Sequence, residues 1–179
     1  MPYKATTNNT YTSTAYYYLD YKLRASFAKI LGEDDSRFLA NAEKIRQTVN
    51  DHFFNAESNT YAEGTQTAQA LALYLGLPPE DKEKKVAEKL HELVAGNSYF
   101  LDFGVIGSKT ILAMLTKYGY VEDAMKMVTK TDEPSWGYWI EKLGYTTLAE
   151  QWKFDPVQNG TSLNHVFLGD VSAWMINHL

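Results

Sequence analysis

The chain of 179 residues contains no cysteine, which excludes disulfide bonds and thiolate-bound metal ions. It also has no apolar run near the ~18–20 residues that a membrane-spanning helix needs, so no membrane association is predicted. Residues 1–4 lead into a polar stretch instead of the apolar core of a secretory signal. These absences do not assign a localisation, because many exported bacterial proteins also lack cysteine.

Concentrated positive charge is missing as well. The net charge is −5, and the lysine-rich segment 82–85 is interleaved with acidic residues. Pairs such as Glu80–Lys84 and Asp81–Lys85 have the spacing of neighbours on a solvated helix face. No nucleic-acid partner is therefore expected.

The histidines give no indication of a metal centre. His52, His91 and His178 fall on predicted helices, with no partner at the spacing of metal ligands. No metal site and no cofactor are predicted.

Strand signals are weak, and apolar residues recur at helical spacing along the chain, so the predicted class is all-α. Helices joined by connections of varied length favour stacked αα-hairpins, and a closed toroid of unlike hairpins is one arrangement they allow. Residues 1–13 are predicted as a polar tail and residues 14–179 as the folded part. The predicted helices cover 14–31, about 36–54, 65–75, 80–95, 105–118, 121–129, 147–152 and 166–179, with 136–143 ambiguous.

Aromatic residues are abundant, at 14% of the chain. Aromatic side chains stack against the apolar C–H faces of sugar rings, but they are also good core residues. Trp136, Trp139 and Trp152 lie within 17 residues of one another, around Glu150. Core packing and sugar contact are both open for each of them.

Glu150 has two interpretations from local sequence. Residues 147–150 have the pattern T-x-x-E of a capping box, in which the glutamate reaches back to the first amide of a helix. A carboxylate at a helix start could equally serve as a catalytic base, because the backbone N–H groups there favour its ionised form.

Five blocks between residues 64 and 165 share one resemblance. They are G-T-Q-T-A-Q-A-L-A-L at 64–73, L-D-F-G-V-I-G-S-K at 101–109, P-S-W-G-Y at 134–138, G-Y-T-T-L-A-E-Q-W at 144–152 and S-L-N-H at 162–165, followed by Gly169 and Trp174. In this order they resemble glycoside hydrolase family 78, the α-L-rhamnosidases. The chain departs from the family pattern at Ala149, where tryptophan is common, and at 102–104, where threonines are usual.

The resemblance implies part of an (α/α)6 toroid, of the six-hairpin glycosidase type, that hydrolyses terminal α-L-rhamnosides with inversion. Glu150 matches the family's general base and His165 its sugar-contacting histidine. Asn164 and one or more of Trp136, Trp139 and Trp152 would join His165 in binding the rhamnose of a glycan or glycoside.

The resemblance also implies that something is missing. The family's general acid lies in an acidic motif upstream, and nothing of that kind occurs here. The chain is therefore expected to be the C-terminal portion of the catalytic domain and to be inactive alone. The alternative is a non-catalytic helical module for carbohydrate binding or interaction. An incomplete toroid would also expose apolar surface, which favours self-association.

Overall fold

The computed structural model describes residues 6–153 and 162–178. Over these residues the chain is built from eight helices and one two-stranded antiparallel hairpin, in which Phe54 pairs with Tyr61. In this described part of the chain, no helix combines the length and apolar character needed to cross a bilayer. The elements are α1 (Asn9–Leu31), α2 (Ser36–Phe53), β1 (Phe54–Asn55), β2 (Thr60–Tyr61), α3 (Gln66–Leu75), α4 (Glu83–Gly96), α5 (Val105–Lys117), α6 (Val121–Val128), α7 (Trp136–Glu141) and α8 (Asp170–His178).

The helices form two rows. Helices α1, α3, α5 and α8 lie side by side, each packing on the next, while α2, α4 and α6 pair as hairpins with the helices that precede them. The two middle helices of the first row are the most buried, and α3 is buried at every position from Gln66 to Leu73. Its many alanines let neighbours approach from several sides, and Gly76 ends it in the left-handed conformation that glycine favours. The predicted all-α class is confirmed.

The N-terminal end of α1 differs from its prediction. The helix begins at Asn9 rather than near residue 14, because the Asn8 side chain accepts hydrogen bonds from the amides of Thr10 and Tyr11. Tyr11 is fully buried, and its hydroxyl donates to the carbonyl of Ala68 at 2.8 Å. Burial raises the pKa of this hydroxyl, which keeps it a donor. Residues 9–13 thus form the start of α1, which Tyr11 anchors to α3, and residues 1–5 lie outside the described residues.

The sequence predicts an apolar stripe on the first helix, formed by Tyr16, Leu19, Leu23, Phe27 and Ile30, but in the structure this stripe faces away from α2 and α3. Leu23, Phe27 and Ile30 are 44, 59 and 79% exposed. The buried side of α1 uses smaller or hydroxylated residues instead, because α2 and α3 pack closely there: Tyr11, Ala15, Tyr18, Ala25 and Ala28. A row of large apolar side chains on one exposed helix face is typical of a surface that contacts another protein surface.

We expect the isolated chain to self-associate through this stripe. Sedimentation velocity over a range of concentrations should show a sedimentation coefficient that rises with concentration. Replacing both Phe27 and Ile30 by serine should abolish the rise, whereas Leu39→Ser, which removes an exposed apolar side chain from α2, should not. A wild-type chain that sediments as a monomer at every concentration would contradict this expectation.

Candidate active site

Two chain segments that carry the predicted site residues lie alongside each other. The amide of Glu150 donates to the carbonyl of Ser162 at 3.0 Å, and the amide of His165 donates to the carbonyl of Leu148 at 2.9 Å. The Thr147 hydroxyl donates to the carbonyl of Leu163. The helix predicted at 147–152 is therefore wrong: these residues form bends, because their polar groups bond across to 162–165 rather than along the chain.

The Glu150 side chain does not form a capping box. Its Oε2 accepts a hydrogen bond from the Ser162 amide at 3.1 Å, and no helix begins at Thr147. With its backbone N–H bonded to the same residue, Glu150 is held to Ser162 twice. The side chain is half-buried, and a carboxylate that accepts one bond at Oε2 can still accept others, including one from water, at Oε1.

Glu150 lines a cavity of about 200 Å³ at the start of α5. The other lining residues are Gly104, Gln151, Trp152 and Leu168. Sequence reasoning did not single out Gly104, Gln151 or Leu168. Gly104 and Gln151 belong to two of the sequence blocks that resemble the family, at 101–109 and 144–152, but nothing in the local pattern indicates that they meet at one cavity.

The three tryptophans, of which one or more are predicted to contact the sugar, all lie in the core, with Trp136, Trp139 and Trp152 only 6, 2 and 3% exposed. Each indole N–H donates to a backbone carbonyl: Trp136 to Leu168 at 2.9 Å, Trp139 to Trp152 at 3.1 Å, and Trp152 to Phe103. Trp152 is the one of the three that also lines the Glu150 cavity.

Trp152 is the centre of this aromatic cluster. Its ring centroid lies 4.9 Å from that of Trp139, 5.1 Å from that of Trp136 and 5.7 Å from that of Phe103. The contacts with Trp136 and Phe103 are edge-to-face, a favoured geometry for aromatic pairs. The cluster therefore joins α7, the start of α5 and the segment that carries Glu150.

His165 and Asn164 lie near Glu150 in the paired segments, outside the lining of its cavity. The Nδ1 atom of His165 accepts a hydrogen bond from the Phe167 amide at 3.2 Å, so the neutral ring carries its proton on Nε2. That nitrogen can donate to a hydroxyl group. Asn164 is exposed, and its backbone N–H donates to the Ser162 hydroxyl at 3.0 Å.

A comparison with protein families decides the relationship. The model of the bacterial alpha-L-rhamnosidase 6 hairpin glycosidase domain matches residues 1–179. The chain belongs to this family.

Individual relatives agree. The chain is 30% identical over 169 residues to the alpha-L-rhamnosidase of Streptomyces avermitilis, covering 91% of this chain and 16% of that protein. The structure of that enzyme, crystallised with L-rhamnose, superposes with a TM-score of 0.82 over 90% of this chain and 16% of the other. An alpha-L-rhamnosidase structure from Dictyoglumus thermophilum is 38% identical, with a TM-score of 0.85 over 92% of this chain and 19% of the other. The predicted six-hairpin fold is confirmed, and the chain spans less than a fifth of the length of these relatives.

One glycine of this rhamnosidase-family domain sets the approach of α5 to its neighbours. A Cβ atom on Gly107 would collide with the Cβ of Phe103 and lie 2.8 Å from Oγ1 of Thr67 on α3. Glycine thus allows the first turn of α5 to pack against Phe103, the residue whose carbonyl accepts the Trp152 indole bond. Gly104, three residues earlier, has open space where a Cβ would be.

Within the described residues, no group of three or more histidine, aspartate and glutamate side chains could hold a metal ion. The chemistry that the site offers is that of a carboxylate, an imidazole and an aromatic wall.

The two glycines give a matched pair of variants. Gly107→Ala should lower the free energy of unfolding by about 1–3 kcal/mol, because the added methyl group overpacks the Phe103 contact. Gly104→Ala adds the same methyl group into open space and should change stability by less than about 0.5 kcal/mol. Urea unfolding measures both. Equal effects would contradict the packing described here.

Proposed function

We propose that this protein is the portion of an inverting α-L-rhamnosidase that supplies the general base, Glu150. The observation that carries the proposal is the half-buried Glu150 carboxylate at a cavity walled by Trp152. The family membership and the relatives named alpha-L-rhamnosidase support it, and so does the relative crystallised with L-rhamnose. The substrate would be a glycan or glycoside with a terminal α-L-rhamnose.

In this proposal Glu150 accepts a proton from the water that attacks the anomeric carbon. The Ser162 amide holds Oε2, so Oε1 is the oxygen that takes the proton. Inversion requires a carboxylic acid on the opposite side of the sugar, ~6.5–9.5 Å from the base, to protonate the leaving oxygen. The hydrogen bonds that join the segment carrying Glu150 to residues 162–165 support this role, because a base must be held at a fixed position to act.

Binding of the rhamnose would fall to residues around this carboxylate. Trp152 would present the edge of the aromatic cluster to the sugar, and His165 would donate from Nε2 to a hydroxyl group. Asn164, exposed beside it, would add amide hydrogen bonds. Trp136 and Trp139 pack behind Trp152, so their proposed part is to position that ring rather than to touch the sugar.

The isolated chain should be nearly inactive, since the family resemblance assigns the general acid to an upstream motif that these residues lack. Hydrolysis of p-nitrophenyl α-L-rhamnoside by the purified 179 residues should stay close to the uncatalysed rate. A longer protein that includes the upstream motif serves as the positive control. Robust hydrolysis by the isolated chain would show that the acid lies within it and would refute this part of the proposal.

In that longer protein, Glu150→Gln should lower kcat by about 10²–10⁴-fold with little effect on KM, because a general base acts only in the transition state. Glu141→Gln, at an exposed position on α7, is the matched control and should leave both constants unchanged. A change in KM alone on Glu150→Gln would make Glu150 a binding residue. Steady-state kinetics on the aryl rhamnoside separate these outcomes.

A second candidate function is a helical module that binds carbohydrate without catalysis. Glu150 is the one acidic residue that lines its cavity among the described residues, which favours this candidate over an enzyme complete in itself. It predicts rhamnose binding that survives Glu150→Gln and no hydrolysis even in the longer protein.

A further inference from the structure

Gln151 is the second residue with a polar side chain at the Glu150 cavity. The two residues are neighbours in the chain, and both line the cavity of about 200 Å³ together with Gly104, Trp152 and Leu168. Like Glu150, Gln151 is half-buried. Its carboxamide offers an acceptor oxygen and a donor NH₂ group and carries no charge. It can therefore hold a ligand at this cavity without gaining or losing a proton.

The carboxamide of Gln151 has no hydrogen-bond partner among the residues that the structure describes. It is not sealed in the core either. The fully buried side-chain atoms that lack a partner in this part of the chain belong to Asn59, Gln66, Gln69 and Ser108. The oxygen and nitrogen of the Gln151 side chain are therefore accessible, and both can bond to a water molecule or to a substrate.

The other residues that line this cavity have no side-chain acceptor, and their backbone carbonyls already accept hydrogen bonds. Each carbonyl binds one N–H group: Gly104 the amide of Ser108 at 2.9 Å, Leu168 the indole of Trp136 at 2.9 Å, and Trp152 the indole of Trp139 at 3.1 Å. Among the described residues, Gln151 is thus the one lining residue besides Glu150 whose side chain can accept a hydrogen bond.

An attacking water molecule needs two acceptors. One of its lone pairs is directed at the anomeric carbon and one of its O–H groups donates to Oε1 of Glu150, so the second O–H group also requires a partner. Without that partner the water is bound less firmly and can rotate away from the line of attack. His165 does not supply an acceptor, because its Nδ1 already accepts from the Phe167 amide and its Nε2 is a donor.

We propose that the side-chain oxygen of Gln151 accepts this second O–H group, so that Gln151 orients the attacking water as a further catalytic residue. The inference rests on the proposed function, in which Glu150 is the base. The water oxygen bonds to the anomeric carbon while the glycosidic C–O bond breaks, and the leaving oxygen takes a proton from the upstream acid. One water proton passes to Glu150. The other stays on the new anomeric hydroxyl group, which still donates to Gln151.

The test is a double-mutant cycle in the longer protein that includes the upstream motif, with p-nitrophenyl α-L-rhamnoside as the substrate. Gln151→Met removes the carboxamide and keeps a side chain of similar length. It should lower kcat about 10–100-fold, the effect of one polar group left without a partner, and leave KM unchanged, because the lost contact is with water. In the Glu150→Gln background the same substitution should lower kcat by less than about threefold, because the oriented water then has no base.

Gln47→Met, at an exposed position on α2, is the matched control and should leave kcat and KM unchanged. Gln151→Ala takes the place of Gln151→Met in the cycle if urea unfolding shows that the methionine destabilises the fold. The proposal is overturned if the Gln151 variant keeps the wild-type kcat, if it changes KM alone, or if it lowers kcat equally with and without Glu150. Failure of the proposed function has another signature: Glu150→Gln by itself would leave kcat unchanged.

Discussion

The indole of Trp152 connects the segment that carries Glu150 to the start of α5. Its N–H donates to the carbonyl of Phe103, and its ring packs against Trp136, Trp139 and Phe103. Residues 147–152 form no helix, so no regular secondary structure fixes the position of Glu150, two residues before Trp152. A buried polar group left without a partner costs ~1–3 kcal/mol, so the indole bond and the burial of the ring act together to hold one conformation.

The helical rows explain why this connection can be rigid. α5 is covered by α3, α6 and α8, and Gly107 lets its first turn approach Phe103 without a side chain between them. On the other side, Ser162 holds Glu150 through one backbone and one side-chain bond. The carboxylate is therefore positioned from two directions by contacts far apart in sequence, which is the arrangement that a catalytic group requires.

Local patterns predicted the regular helices well, because the causes of those helices are themselves local. Apolar spacing and a stop at Gly76 were enough to define α3. The helix expected at 147–152 failed since Thr147 and Glu150 bond to 162–165, a pairing that no window of neighbouring residues reveals. The stripe on α1 was identified correctly as apolar, but periodicity cannot say which face a neighbour covers. The tryptophans were recognised as a group, while the packing of Trp136 and Trp152 depends on Phe103, 33 residues before Trp136 in the chain.

Hydrogen exchange of the Trp152 indole proton tests the central claim, that this ring holds the glutamate segment on α5, most directly. The account predicts that this proton exchanges far more slowly than that of a free indole, with protection close to that of core amides such as Ile111 in α5. Exchange of the Trp152 proton at the rate of an exposed indole, while the α5 amides stay protected, would contradict the account.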